Sequence, residues 1–239
     1  MTEARRVVLD ACGSTSEEAR ARFDGAPLWV LAHRQTAARG RRGRAWAMPP
    51  GNFAVSLAWR PPGGPAEHAL RSFAASLALA EALEGLGVAD LSLKWPNDVL
   101  HRGGKLAGIL LESPGPGLLV LGVGVNLAAA PDAAALEPGA VPPAALDGAI
   151  APEALLDALA PAFAAREAQL VADGFAPLRA AWLARAYGLG GRIVARMMAE
   201  TAAGTFEDVA PDGRLVLATP TGRRMIPAAD VFFEGARCS

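Results

Sequence analysis

The sequence predicts an α+β protein, with a β-sheet flanked by helices over residues 1–187 and a small β-barrel over residues 188–239. Phe53, Val55, Leu57 and Trp59 alternate with Ala54, Ser56 and Ala58, the period-two pattern of a strand that turns its larger side chains to one face. Between Pro65 and Leu86, the residues Leu70, Phe73, Leu77, Ala80 and Leu83 recur at helical spacing, as on a helix laid across a sheet. From Gly188 onward short apolar runs alternate with turn signals at intervals of about eight to twelve residues, which is barrel-like.

The elements follow in order. Arg6 to Asp10 reads as a short strand, and Ser14-Thr15-Ser16-Glu17-Glu18 supplies hydroxyl caps with carboxylates behind them, a helix start. Leu28 to Ala32 is a continuous apolar run suited to a buried strand. The polar segment His33 to Gly51 has no apolar periodicity and is a long functional or disordered loop. After the Pro65 to Leu86 helix come Leu91 to Lys94, the turn Trp95-Pro96-Asn97-Asp98, and strands around Val99-Leu100 and Leu106 to Glu112, joined by an Arg102-Gly103-Gly104 hairpin. Leu118 to Leu127 is a further strand, and Ala128 to Ala151 reads as an Ala/Pro loop without a function. Pro152 to Val171 and Pro177 to Ala186 read as helices with proline in the first turn, where its missing N–H costs little. Strands at Arg192 to Met198, Thr201 to Val209, Leu215 to Ala218 and Val231 to Phe233 complete the small domain, with turns at Pro211-Asp212-Gly213 and Thr221-Gly222.

Composition narrows the function. The 23 basic and 24 acidic residues nearly cancel, so the whole-chain field does not favour a general nucleic-acid or membrane-surface protein, and cationic function must be local. The short apolar stretch Val7-Val8-Leu9 supports neither a signal peptide nor a membrane span. Cys12 and Cys238 lack metal-type spacing and fit a reducing compartment, so a cytoplasmic protein is expected. His33, His68 and His101 form no ligand constellation, and no protein-bound metal is expected.

The chemistry concentrates in four stretches. Arg39, Arg41, Arg42 and Arg44 are interleaved with Gly40 and Gly43; four fixed charges so close together suit a multi-oxygen anion such as phosphate or carboxylate, and order on binding is expected. Taken alone, the loop is equally a solvated basic segment or a nucleic-acid contact. Trp46, just beyond, is placed to stack on a base. Lys94-Trp95-Pro96-Asn97-Asp98 is an ordinary turn by composition, yet it gathers a cation, an amide and a carboxylate at one strand end. Lys105 is either a snorkelling lysine on an apolar strand or, facing the arginines, a point charge for a reacting carboxylate and phosphoryl oxygen. Gly108 and the glycines of Gly122-Val123-Gly124-Val125-Asn126 leave room for a ligand, and Asn126 can read a base edge.

Arg39 to Arg44, Lys94 to Asp98, Lys105-Leu106-Ala107-Gly108-Ile109-Leu110 and Gly122 to Asn126 together resemble, in order and spacing, the biotin protein ligases. The resemblance runs from about Val7 to Phe233. It implies a mixed sheet flanked by helices, of the biotin/lipoate ligase type, with an SH3-like barrel behind it. It also implies formation of biotinyl-5′-adenylate from biotin and ATP, with Mg2+ entering alongside ATP, then transfer of biotin to a lysine of a carboxylase's biotin carboxyl carrier domain. By similarity, Ser14, Thr15, Ser16, Gln35, Arg39, Gly40, Arg41, Lys105 and Gly108 would bind biotin, and Arg44, Trp46, Asn97, Lys105 and Asn126 would bind ATP. Arg41 and Lys105 would be catalytic.

The family usually carries Ser-Thr-Asn where this chain has Ser14-Thr15-Ser16, so a direct contact from the shorter Ser16 is open; Ala38 stands in place of a glycine, and Met48 in place of a serine. No stretch before Val7 accommodates a DNA-binding helix-turn-helix, so a monofunctional enzyme is expected, without nucleic-acid or membrane partners. A homodimer through the sheet is a further implication of the resemblance. The competing readings are a lipoate or octanoate protein ligase and, from the arginine loop alone, a non-enzymatic nucleic-acid-binding module.

Overall fold

In the computed structural model, residues 4–132, 139–227 and 229–233 are described. Strands β1 (Arg5–Leu9), β2 (Leu28–Ala32), β3 (Phe53–Trp59), β4 (Leu91–Lys94), β5 (Asp98–His101), β6 (Gly104–Gly115) and β7 (Leu118–Val125) form one sheet in the order β1-β2-β3-β7-β6-β5-β4. β1 and β2 run parallel and every other neighbouring pair is antiparallel, so the sheet is mixed as expected.

Helix α1 (Thr15–Arg22) packs against β2, β3 and β7, while α3 (Arg71–Gly85) and α4 (Pro152–Asp173) lie against each other and cover the sheet's other face. This sandwich explains a difference from the sequence pattern. All seven residues of β3 are buried, not only the alternate ones. Phe53, Val55, Leu57 and Trp59 enter the main core, whereas Ala58 joins a smaller cluster with Ala19 of α1, so the small residues face a closely approaching helix.

Several boundaries moved. The expected helix from Pro65 to Leu86 is divided at Leu70 into α2 (Pro65–Ala69) and α3, although Leu70 keeps right-handed helical angles. Ser14 occupies the N-cap of α1 but makes no side-chain capping bond, and the first helical N–H, that of Thr15, donates instead to Gln35 Oε1. α4 runs through Pro161 to Asp173 and ends on Gly174 at φ 72°, where a glycine is favoured. α5 (Phe175–Leu183) begins two residues before Pro177, which still lies in the first turn. The hairpin after β5 turns at Arg102 (φ 49°) and Gly103 (φ 78°), two left-handed residues whose twist matches the paired strands.

The C-terminal part comprises β8 (Arg192–Arg196), β9 (Thr201–Val209), β10 (Leu215–Thr219), β11 (Gly222–Ile226) and β12 (Asp230–Phe233), all antiparallel in the order β11-β10-β9-β8-β12. Its end strands share no ladder among the described residues. β11 is the strand that sequence reading missed, because Gly222-Arg223-Arg224 looks like turn and surface. This sheet shares the main core through Ile193, Phe206, Leu215, Leu217 and Val231. The Trp95 indole N–H also donates to Gly213 O at 3.1 Å. Residues 133–138 of the expected Ala/Pro loop, and Cys238, lie outside the described residues.

Candidate active site

A cavity of about 400 Å³ opens where the arginine loop, the strand ends around Lys94 and Lys105, the α1 N-terminus and β12 meet. Every residue singled out from the sequence as a biotin or ATP contact lines it, so side chains separated by more than a hundred positions are brought to one place.

The arginine loop folds back as a small hairpin. Gly40 N–H donates to Arg44 O at 2.7 Å, Trp46 N–H to Ala38 O at 3.0 Å, and Arg39 bridges Ala45. A single 3₁₀ turn, Arg41–Gly43, makes the reversal, with Arg42 at φ 57° and Gly43 at φ 71°. Like charges this close repel, and acids relieve the repulsion. Arg39 pairs with Glu17 of α1, while Arg42 (2.7 Å) and Arg44 share Asp230 Oδ2 of β12. Arg41 differs from these: it points inward, and its hydrogen bonds go to Asn97 Oδ1 (3.4 Å) and Ala229 O (3.5 Å) rather than to a carboxylate. Burial lowers its guanidinium below the ordinary arginine value; Asp230 and Asp98 oppose this from a distance, while Arg42 and Arg44 add to it. Arginine remains charged regardless, so Arg41 is a cation facing the cavity with no carboxylate in direct contact.

Opposite it, the β4–β5 turn and β6 hold two lysines on one carboxylate. Lys105 Nζ lies 2.8 Å from Asp98 Oδ1, and Lys94 Nζ lies 3.6 Å from Asp98 Oδ2. Burial by itself would raise the Asp98 carboxyl, but Lys105 and Lys94 outweigh it and hold the group below the usual carboxylate range. Burial depresses the Lys94 ammonium, with Asp98 opposing. Asn97 donates to Ile109 O at 2.5 Å, which fastens the turn to β6.

Two sequence expectations change. Gly108 and Gly124 sit side by side on β6 and β7, and the space above them is filled by the Trp46 ring rather than left open. A Cβ on Gly124 would come within 2.8 Å of Trp46 Cε2, and one on Gly108 within 3.0 Å of Cζ3. The Lys105 ammonium lies 5.6 Å from that ring's centroid. Asn126 reaches the cavity wall, but its amide hydrogens are engaged by Ala144 O (2.9 Å) and Lys105 O (3.4 Å). Its Oδ1 accepts from Asn52 at 3.5 Å. In this arrangement it secures the wall rather than presenting a free edge.

The Ala/Pro loop contributes more than its composition suggested. Lys105 N–H donates to Pro142 O and Ala144 N–H to Lys105 O, and Ala140, Val141 and Pro143 line the cavity. Asp230 of β12 was also missed; nothing in a short strand ending Asp-Val-Phe-Phe marks its acid as the partner of arginines far back in the chain. At the α1 end, Thr15 donates through N–H and hydroxyl to Gln35 Oε1 (2.7 and 3.0 Å), and Ser56 of β3 joins Thr15 and Ser16 from beneath.

The site is thus a cavity lined by hydroxyls around the α1 N-terminus and by cations from the arginine loop, β4 and β6, the layout of an enzyme that binds a polar, anionic substrate. The comparisons give the class its family. Residues 14–126 match the biotin/lipoate A/B protein ligase family, and residues 188–234 match the biotin protein ligase C-terminal domain. The chain is similar to the biotin--[acetyl-CoA-carboxylase] ligase of Paracoccus denitrificans, 54% identical over 87% of this chain and 90% of that protein. It is also similar to the enzyme of the same name from Mycobacterium tuberculosis, 42% identical over 52% of this chain and 50% of that one. Its fold matches the biotin protein ligase from Aquifex aeolicus in complex with biotin and ATP, at TM-score 0.81 and 22% identity, covering 95% of this chain and 97% of that one. The chain belongs to the biotin protein ligase family.

Proposed function

We propose that the chain forms biotinyl-5′-adenylate from biotin and ATP and transfers biotin to a lysine of the biotin carboxyl carrier domain of acetyl-CoA carboxylase. The observation that carries this reading is the meeting of Arg41, which no carboxylate contacts directly, with Lys105 on its Asp98 support, in a cavity that is also lined by the Ser14, Thr15 and Ser16 hydroxyls. The Paracoccus relative's identity over nine-tenths of its own length supports the substrate and the acceptor.

In the first step a biotin carboxylate oxygen attacks the α-phosphorus and the bond to pyrophosphate breaks. Both reactants are anions, so their approach is opposed until positive charge is held in place beforehand, which Arg41 and Lys105 provide. Arg44, once it leaves Asp230 for phosphate oxygens, and Trp46, from its seat on the glycine floor, complete the nucleotide site together with Asn97 and with Asn126, which secures its wall. Ser14, Thr15, Ser16 and Gln35 receive the ureido head, and Arg39, Gly40 and Gly108 flank the acid's chain. In the second step the neutral carrier amine attacks the mixed anhydride's carbonyl carbon, the bond to AMP breaks, and the amine loses its proton.

Magnesium enters as part of the nucleotide substrate. The cavity's carboxylates, Asp98 and Asp230, are each held by cations, and among the described residues no group of three His, Cys, Asp or Glu is placed to hold an ion. We place the domain division at 187/188, the protein in the cytoplasm, and its function apart from nucleic acid and membranes; no described helix is long and apolar enough to cross a bilayer. A homodimer through the sheet is part of the same reading.

The test is to incubate the protein with biotin, Mg-ATP and a carrier domain and follow carrier mass and pyrophosphate. A single biotinyl mass increment is the expected result. Lipoate rather than biotin on the carrier lysine would move the chain to the other half of its family, and oligonucleotide binding without pyrophosphate release would point to a nucleic-acid module.

A further inference from the structure

Ser56 lies in the middle of β3, entirely buried, on the face shared with Ala54 and Ala58. Alanine would pack there equally well, so the hydroxyl requires its own reason. It touches Thr15 Oγ1 at 2.8 Å and Ser16 Oγ at 3.1 Å; of its two cross-strand neighbours, Val30 and Gly122, the second has no side chain to cover it.

The directions of these bonds are fixed from one end. Thr15 N–H donates to the Gln35 side-chain oxygen at 2.7 Å, which identifies that atom as Oε1. The Thr15 hydroxyl donates to the same oxygen at 3.0 Å, so its one hydrogen is used. Toward Ser56 it can only accept. The Ser56 hydroxyl therefore donates to Thr15 and in turn accepts from Ser16. Ser16 is left at the cavity wall with its hydrogen turned inward and its lone pairs outward.

We propose that Ser56 is a positioning residue for substrate recognition: through a one-way hydroxyl relay, Ser16 to Ser56 to Thr15 to Gln35, it orients Ser16 as an acceptor for a ureido N–H of biotin. The inference rests on the biotin reading of the cavity. Gly122 belongs to the device, because a Cβ there would stand 3.2 Å from Ser16 Oγ and 3.6 Å from Ser56 Oγ and crowd the relay's open end. A pocket polarised in this way discriminates strongly against an analogue that lacks the donor, since the acceptor is then left without a partner.

The test is steady-state pyrophosphate release with saturating Mg-ATP and varied biotin, for the wild type, Ser56→Ala and Ser56→Cys, with thermal melting in parallel. Ser56→Ala is expected to raise KM for biotin about tenfold while kcat and KM for ATP stay within about twofold, and Ser56→Cys, a weak donor, to fall between. Biotin methylated at either ureido nitrogen supplies the second readout: the wild type rejects at least one isomer, and Ser56→Ala narrows that preference. A folded Ser56→Ala with unchanged KM for biotin, or one that loses kcat and ATP affinity in equal measure, overturns the relay. If Ser56→Ala does not melt cooperatively, the same comparison with Ser56→Cys decides. A wild type that releases no pyrophosphate with biotin fails the underlying reading instead, and is distinguishable for that reason.

Discussion

Lys105 Nζ stands 2.8 Å from Asp98 Oδ1 and 5.6 Å from the centroid of Trp46, held between a carboxylate and an aromatic face at the edge of the cavity. Its side chain is only about one-third exposed, so neither a freely solvated surface lysine nor a fully buried one describes it. A charge held in this way needs no reorganisation when oxyanions gather beside it.

Lys105→Ala is therefore expected to lose about 2–4 kcal/mol of transition-state stabilisation, a fall of roughly 30- to 1,000-fold in adenylate formation, while still folding. Lys105→Arg should restore little, because a planar guanidinium does not replace a compact ammonium at the same distance. Pyrophosphate release by single turnover measures the first step alone. Near-normal adenylation by Lys105→Ala would remove the residue from its assigned role.

Asp98 gives a pH dependence with a defined sign. Its folded carboxyl lies below the ordinary value because Lys105 and Lys94 outweigh burial. The unfolded chain thus binds more protons in the acid range, and stability rises with pH there. The contribution is present above the unfolded value of about 3.9 and is lost as pH falls through the lower folded one. Asp98→Asn should be clearly less stable than the wild type at neutral pH, with the gap closing toward pH 2. Urea midpoints across that range check it, and a gap that stays constant would show that the carboxylate's charge is not what stabilises the turn.

Asp230 ties the small sheet to the arginine loop. Arg44 is mostly exposed and Arg42 about one-third exposed, so the two ion pairs contribute at most about 1 kcal/mol to global stability. Their effect on the loop should be larger. In Asp230→Asn, trypsin cleavage between Arg39 and Arg44 is expected to quicken severalfold without ligands, at little change in Tm, and biotin with ATP should suppress it. Equal cleavage rates for variant and wild type would mean that the hairpin's own backbone bonds hold the loop.

The contrast between Arg41 and Asp230 shows what was legible in the sequence. Arg41, Lys94, Asn97 and Lys105 lie in short stretches whose residue types advertise anion chemistry, and the sheet brings them together without moving any from its expected element. Asp230, Ser56 and Glu167 carry no such local mark. Ser56 reads as a small residue in an alternating strand, and its relay depends on how closely α1 crosses β3. Glu167 reads as the polar side of an amphipathic helix, yet it is buried against Arg71, with 2.9 Å between Oε1 and Nη2, because α3 and α4 pack against each other. Partners separated by about forty to nearly two hundred positions are fixed by packing, which periodicity does not encode.

Trp46 and Gly124 provide the last test, since the ring rests where any side chain on the glycine would project. An alanine Cβ at position 124 would fall 2.8 Å from Trp46 Cε2 and Nε1, closer than carbon atoms pack, so the indole must leave its seat. Leaving also removes the ring from beside the Lys105 ammonium. If Trp46 serves the nucleotide from this seat, Gly124→Ala and Trp46→Ala each disable the same contact, and KM for ATP should rise about tenfold in both. The double variant should then be no worse than either single one, because one shared interaction can be lost only once. KM for biotin should change less, since neither substitution alters the hydroxyls that line the cavity around the α1 N-terminus. Additive losses in the double variant would show instead that Gly124 acts on the site through the sheet, independently of the indole.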